Sequence, residues 1–215
     1  MKMGSRTPPN LGWIETKLDQ EQIDYLWKRI KERKTDSFKG QLAGNITGSY
    51  EIEDKDDYFF KEVLNEHVSA YYNMNGNKHP IPSYIMGEFE FWLQSFWVNY
   101  QNQGEFNPFH NHGGVYSFVT WLKIPTCWDD QCKLSFLEGM QEHEKKASNF
   151  EFEYTDMLGR IKTYGYHLSP EWEGVMLFFP AALKHAVYPF YECDESRISI
   201  SGNLFFRNKD SLKEQ

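Results

Sequence analysis

Two hydrophobic periods divide the chain. After Asp19, apolar residues fall at Ile23, Leu26, Trp27 and Ile30, the three-and-four spacing of one helix face. Asp19-Gln20-Glu21-Gln22, just before them, has the form of a capping box, with Asp19 as N-cap. The basic run Lys28 to Lys34 suits the negative end of that helix. A second helix is predicted from near Asp57 to Tyr72, burying Phe59, Phe60, Val63, Leu64, Val68 and Tyr71. From Tyr84 the period drops to two. Phe89 to Tyr100 alternates and is rich in strand formers, and a strand is predicted from His110 to Ile124, stopped by Pro125. Shorter strands are predicted at Leu11–Leu18, Leu134–Leu137, Val175–Phe179, Ala186–Pro189 and Arg197–Phe206. Phe150–Tyr154 and Gly159–Tyr164 read as a hairpin, Leu42–Tyr50 as a turn-rich stretch and Asn73–Pro82 as a loop.

Helices first and strands afterwards predict a mainly β protein, an antiparallel double-sheet jelly roll with N-terminal helices packed on its outer face. We expect one domain, with 1–83 as helical flank, 84–207 as jelly-roll core and 208–215 as tail. The 215 residues suffice for one large domain, and 17% aromatics favour bulky sheet interiors. A net charge of −8 argues against non-specific nucleic-acid binding. No apolar run is long enough for a transmembrane helix, and the first ten residues lack the apolar core of a secretion signal. With an odd three cysteines, a cytoplasmic protein with reduced thiols is expected.

The candidate chemistry lies in the second half. His110 and His112 stand two apart at the start of a predicted strand, where residues i and i+2 share a face. His185 follows the apolar run Gly174-Val-Met-Leu-Phe-Phe-Pro, so a distant strand can bring a third imidazole to the same ion. On the last strand Arg197, Ser199 and Ser201 share one face and Ile198 and Ile200 the other. A guanidinium buried there forks onto a carboxylate, and Ser199 can add a second hydrogen bond. The competing reading of Arg197 is a surface ion pair with Glu195. His67 is expected to pack or face solvent, and His79 and His143 to be solvated.

His-x-His, then Gly174-Val-Met-Leu-Phe-Phe-Pro-Ala-Ala-Leu-Lys-His185, then Arg197-x-Ser-x-Ser-x-Asn203, resembles the Fe(II)/2-oxoglutarate oxygenases. The likeness is to a phage and bacterial subfamily related to prolyl hydroxylases. Trp97-Val-Asn-Tyr100, Asn107, Tyr116-Ser117 and Trp121-Leu-Lys-Ile-Pro125 are similar to its other landmarks, with a weaker echo at Leu42-Ala-Gly-Asn-Ile46. The resemblance implies a double-stranded β-helix (cupin-like) fold that uses Fe(II), 2-oxoglutarate and O₂. It implies release of succinate and CO₂ and hydroxylation of a peptide or small molecule. His110 and His185 match the family's histidine ligands, Arg197 and Ser199 its 2-oxoglutarate anchors. Tyr100 and, less closely, Trp121 match tyrosines that touch 2-oxoglutarate. His112 departs from the pattern, standing where most of the superfamily has Asp or Glu. Either His112 is the third ligand, or Glu105 or water takes its place. Two other readings stay open: a three-histidine metalloenzyme that needs no 2-oxoglutarate, and a non-catalytic jelly-roll module.

Overall fold

In the computed structural model, residues 10–33, 40, 44–81 and 89–208 are described. The expected start of the jelly roll near Tyr84, the Leu42–Ala43 part of the upstream echo, Lys34 and most of the tail lie outside them.

Among the described residues, ten strands form two antiparallel sheets. β1 (Ile14–Lys17), β8 (Val175–Pro180), β5 (Tyr116–Lys123), β10 (Arg197–Asn208), β3 (Phe89–Gln101) and β2 (Gly48–Glu51) make the major sheet, in that order. The minor sheet runs β4 (Asn107–His110), β9 (Lys184–Val187), β6 (Asn149–Thr155), β7 (Ile161–His167). This is the expected jelly roll.

The major sheet is buried on both faces, because the helices cover one and the minor sheet the other. α1 (Gln20–Lys31) begins with the predicted capping box: Gln22 N–H donates to Asp19 Oδ1 at 2.9 Å and Asp19 N–H to Gln22 Oε1 at 3.1 Å. A π-turn over Phe60–Leu64 leads into α2 (Asn65–Met74). Leu26, Ile30, Phe59, Val63, Leu64, Val68 and Tyr71 from this layer pack with Phe96, Val98, Phe118, Phe178 and Ile200 of the sheet. Phe59 is fully buried, with its ring 5.8 Å from Phe96 and 5.6 Å from Phe118. On the inner face Val119, Trp121, Leu177 and Phe179 meet Phe150, Phe152 and Tyr166 of the minor sheet. β5 and β8 therefore send alternate side chains into two different cores.

Four expectations need correction. The His110–Ile124 stretch is two strands in different sheets, separated by Gly113-Gly114. Gly114 has φ +101°, and a Cβ on it would lie 2.7 Å from the Leu204 carbonyl oxygen, so the crossing needs glycine. Leu134–Leu137 holds a 3₁₀ turn, Ser135–Leu137, with Phe136 exposed and no partner strand among the described residues. His79 is half-buried: its Nδ1 lies 2.7 Å from the Tyr116 hydroxyl and its ring packs on Tyr72 and Phe91. The segment before residue 83 is more than helical, since β1 and β2 form both edges of the major sheet. His67 packs as expected, bonded to Val63 O and Thr16 Oγ1, and His143 is exposed. The cysteines are free.

If the helical layer is part of the core, Phe59→Ala should destabilise the protein by about 3–5 kcal/mol through the cavity it leaves. Urea unfolding followed by fluorescence checks this; a loss below about 1 kcal/mol would mean the helices add little.

Candidate metal and dicarboxylate site

The three predicted histidines meet between the sheets. His110 closes β4, and His185 lies directly opposite it on β9. His112 arrives from the crossing loop, which its backbone N–H fixes by donating to Ala181 O at 2.9 Å. The sharing of one strand face is therefore not what unites His110 and His112; their rings stand at 89°, with centroids 5.0 Å apart. The ligating nitrogens of all three lie within 4.8 Å of one another, and His112 Nε2 is 3.2 Å from His185 Nε2. An ion that bonds nitrogen at about 2.1 Å sets its ligand nitrogens roughly 3–4 Å apart, so the spacing suits one divalent ion.

Two of the rings are already oriented. His110 Nδ1 lies 2.7 Å from Pro108 O and His185 Nδ1 lies 3.0 Å from Leu183 O. Each carbonyl accepts the Nδ1 proton and leaves Nε2 as the lone-pair donor. All three pKa values are lowered, first by burial. His112 is brought down to about 4 by burial and then by His110, and His185 is depressed further by both neighbours. Neutral imidazoles are the form that binds a metal. Among the described residues no carboxylate joins the group. Glu105, the alternative ligand, instead accepts from Thr47 N–H and Oγ1 and from Asn102 N–H.

Arg197 is 1% exposed and has no ion pair among the described residues. Glu195, its surface alternative, pairs with Lys123 at 2.5 Å. Arg197 Nη2 donates to Ser148 Oγ at 2.6 Å and Nη1 to Gln101 Oε1 at 3.3 Å, while Nε has no partner. The guanidinium lies over the Phe190 ring, 5.0 Å from its centroid. Burial pushes its pKa down to about 9, so it stays charged at neutral pH. A buried cation without an anion is costly; a carboxylate from a bound molecule would relieve the cost.

The cavity holding the histidines is also lined by Trp97, Asn99, Gln101, Asn107, Trp121, Ser199 and Ser201. Ser199 and Trp121 are therefore brought to the site. Tyr100 is not: it points into the helix-side core, against Tyr50 at 6.0 Å and under Arg33 at 5.4 Å. The alternation of β3 explains this, since Trp97, Asn99 and Gln101 take the inner face. Gln101 and Ser148 were not singled out from the sequence. Alternation could have found Gln101. Ser148, buried with φ +63°, carries no local signal, and only the fold places it against Arg197.

Residues 95–203, just over half of the chain, match a family described as "Putative 2OG-Fe(II) oxygenase". No curated protein matches the chain. Among solved structures it is similar to a prolyl-4-hydroxylase from Pseudomonas putida, at 15% identity and TM-score 0.48, covering 92% of this chain and 93% of that one. A 2OG-Fe(II) oxygenase family protein from Burkholderia pseudomallei aligns at 10% identity and TM-score 0.48, covering 87% and 79%. Oxalate decarboxylase from Bacillus subtilis aligns at 12% identity and TM-score 0.29, covering 63% of this chain and 31% of its own.

The depressed histidines make the metal-free protein acid-sensitive. Above about 6.5 His112 is neutral whether folded or unfolded. Between about 6.5 and about 4 only the unfolded chain takes up the proton, so stability falls with pH across that window. The contribution of His112 is on the order of 3 kcal/mol by pH 4. Melting of chelator-treated protein between pH 7 and 4.5 should show this decline, with a shallower slope for His112→Ala; equal slopes would contradict it.

Proposed function

The chain belongs to the 2OG-Fe(II) oxygenase family, and we propose that it hydroxylates a small-molecule or peptide substrate with 2-oxoglutarate as co-substrate. Membership implies Fe(II), 2-oxoglutarate and O₂. The reaction balances as substrate C–H plus 2-oxoglutarate plus O₂ giving substrate C–OH, succinate and CO₂. One oxygen atom goes to the product and one to succinate. Iron supplies the activation of O₂ when it is bound.

The residues present fit that cofactor set. We assign His110, His112 and His185 as metal ligands, with Pro108 and Leu183 carbonyls holding two of them in the correct tautomer. Arg197 receives the far carboxylate of 2-oxoglutarate, with Ser199 beside it and Trp121 as an apolar wall. The observation that carries this reading is the fully buried Arg197, desolvated and without an anion among the described residues. A three-histidine enzyme that dispenses with 2-oxoglutarate has no use for such a cation. In this reading residues 1–215 act as one oxygenase domain.

Succinate release from 2-oxoglutarate, dependent on added Fe(II), tests the reaction directly. Arg197→Ala should weaken 2-oxoglutarate binding by about 100-fold or more, since losing a buried charge partner costs roughly 3–5 kcal/mol. Metal content should barely change. Arg197→Lys should restore binding only in part, because a point charge cannot fork. An unchanged 2-oxoglutarate dependence in Arg197→Ala would sink the assignment.

His112 adds no negative charge where a carboxylate would add one. Iron retention should therefore be weak alone and tighter with the dianionic keto acid. Metal titration of wild type, His112→Ala and His112→Asp, with and without 2-oxoglutarate, checks this. His112→Asp should hold iron without the keto acid and at lower pH than wild type. Iron binding by His112→Ala equal to wild type would remove His112 from the ligand set.

A further inference from the structure

We infer that Asn107 is a positioning residue for the keto acid, its side-chain amide donating a hydrogen bond to a carboxylate oxygen of 2-oxoglutarate. The inference rests on the reading above and extends it to a residue with no role assigned so far.

The minor sheet forms a ladder along which the two ends of the co-substrate are placed. On its first rung His110, His185 and Phe152 stand side by side across three strands. On the next, Asn107, Val187 and Phe150 do the same. On the third, Ser148 N–H donates to Pro189 O, and Ser148 Oγ accepts from Arg197. Tyr188 O, just before, accepts from Gln101, which also holds Arg197. Histidines therefore mark one end and the guanidinium the other, four residues along the chain, or about 13 Å at the strand rise. A five-carbon dicarboxylate with a metal bond at one end and hydrogen bonds at the other is of about that length, and laid from histidines to guanidinium it would pass the middle rung with a carboxylate on either side. All three middle-rung side chains line the cavity, and only Asn107 is polar.

Asn107 is more than nine-tenths buried, yet its Oδ1 has no hydrogen-bond partner. That oxygen sits against Gly44: a Cβ built there would lie 1.5 Å from Oδ1 and 2.3 Å from Cγ. Oδ1 thus occupies the space that any other side chain at position 44 would fill. With the oxygen turned to Gly44, Nδ2 is left for the cavity. The backbone is fixed as well, because Asn107 precedes Pro108 and is restricted to extended geometry. A donor held in this way suits 2-oxoglutarate, whose oxygens only accept. It does so without adding negative charge to a site that must attract a dianion.

The experiment is calorimetric titration of 2-oxoglutarate into Fe(II)-loaded protein without O₂, so that binding is read apart from turnover. Asn107→Ala should weaken binding about 10- to 30-fold, the worth of one hydrogen bond to a charged group. Asn107→Asp should weaken it further, because a carboxylate faces the dianion. This order separates the proposal from a structural role, which predicts the near-isosteric Asp to be milder than Ala. Gly44→Ala should also weaken binding by displacing the amide. Asn107→Ser serves where the alanine variant folds poorly, with melting temperature and iron content as controls. Binding within twofold of wild type for Asn107→Ala, or an Asp variant milder than Ala, overturns the proposal. Arg197→Ala, run in parallel, isolates the premise. If it abolishes binding while the Asn107 variants do not, only the role of Asn107 falls. If it too binds normally, the dicarboxylate reading falls with it.

Discussion

A sheet buried on both faces has no wet side on which to put its polar residues. The major sheet is in this position, with helices on one face and the minor sheet on the other. Its strands nevertheless carry Asn99, Gln101, Arg197, Ser199 and Ser201 on the inner face. Desolvating such groups costs stability unless something inside bonds to them. Gln101 and Ser148 satisfy part of the guanidinium, and Ser49 donates to Asn99. What the protein leaves unmet, the charge of Arg197 and its Nε, defines the kind of molecule that belongs there.

The metal end depends on a change of sheet. Had the chain run straight from His110 to Ile124, both histidines would have stayed on one strand and far from the junction of the sheets. Gly113 and Gly114 instead let it leave the minor sheet after His110 and enter the major sheet at Tyr116. His112 is carried on that crossing and comes to rest against His185. The same turn ties Val115 to Leu204 and to Ala181, so fold closure and ligand placement share their hydrogen bonds. The electrostatics follow from the same burial. Three neutral imidazoles and one guanidinium make a site without any negative charge of its own among the described residues. A two-histidine, one-carboxylate site has already neutralised half of its ion; this one leaves that to the co-substrate.

Much of this was legible in the sequence, where local physics leads. The capping box at Asp19–Gln22, the buried stripe from Phe59 to Tyr71, the hairpin near 150–164 and the alternation of β10 follow from side-chain period and hydrogen-bonding chemistry alone. So did the histidines and the inward Arg197, because ligand type and strand face are local properties. Tertiary structure decided the rest. It split one predicted strand into two, placed β1 and β2 at the edges of the major sheet beside β8 and β3, and turned Tyr100 to the helix-side core. It also brought Ser148, Gln101 and Asn107 to the site. The physical reason is that period fixes which face a residue takes on its own strand. Which strand lies opposite, and in what register, is fixed only when both sheets close on a common interior.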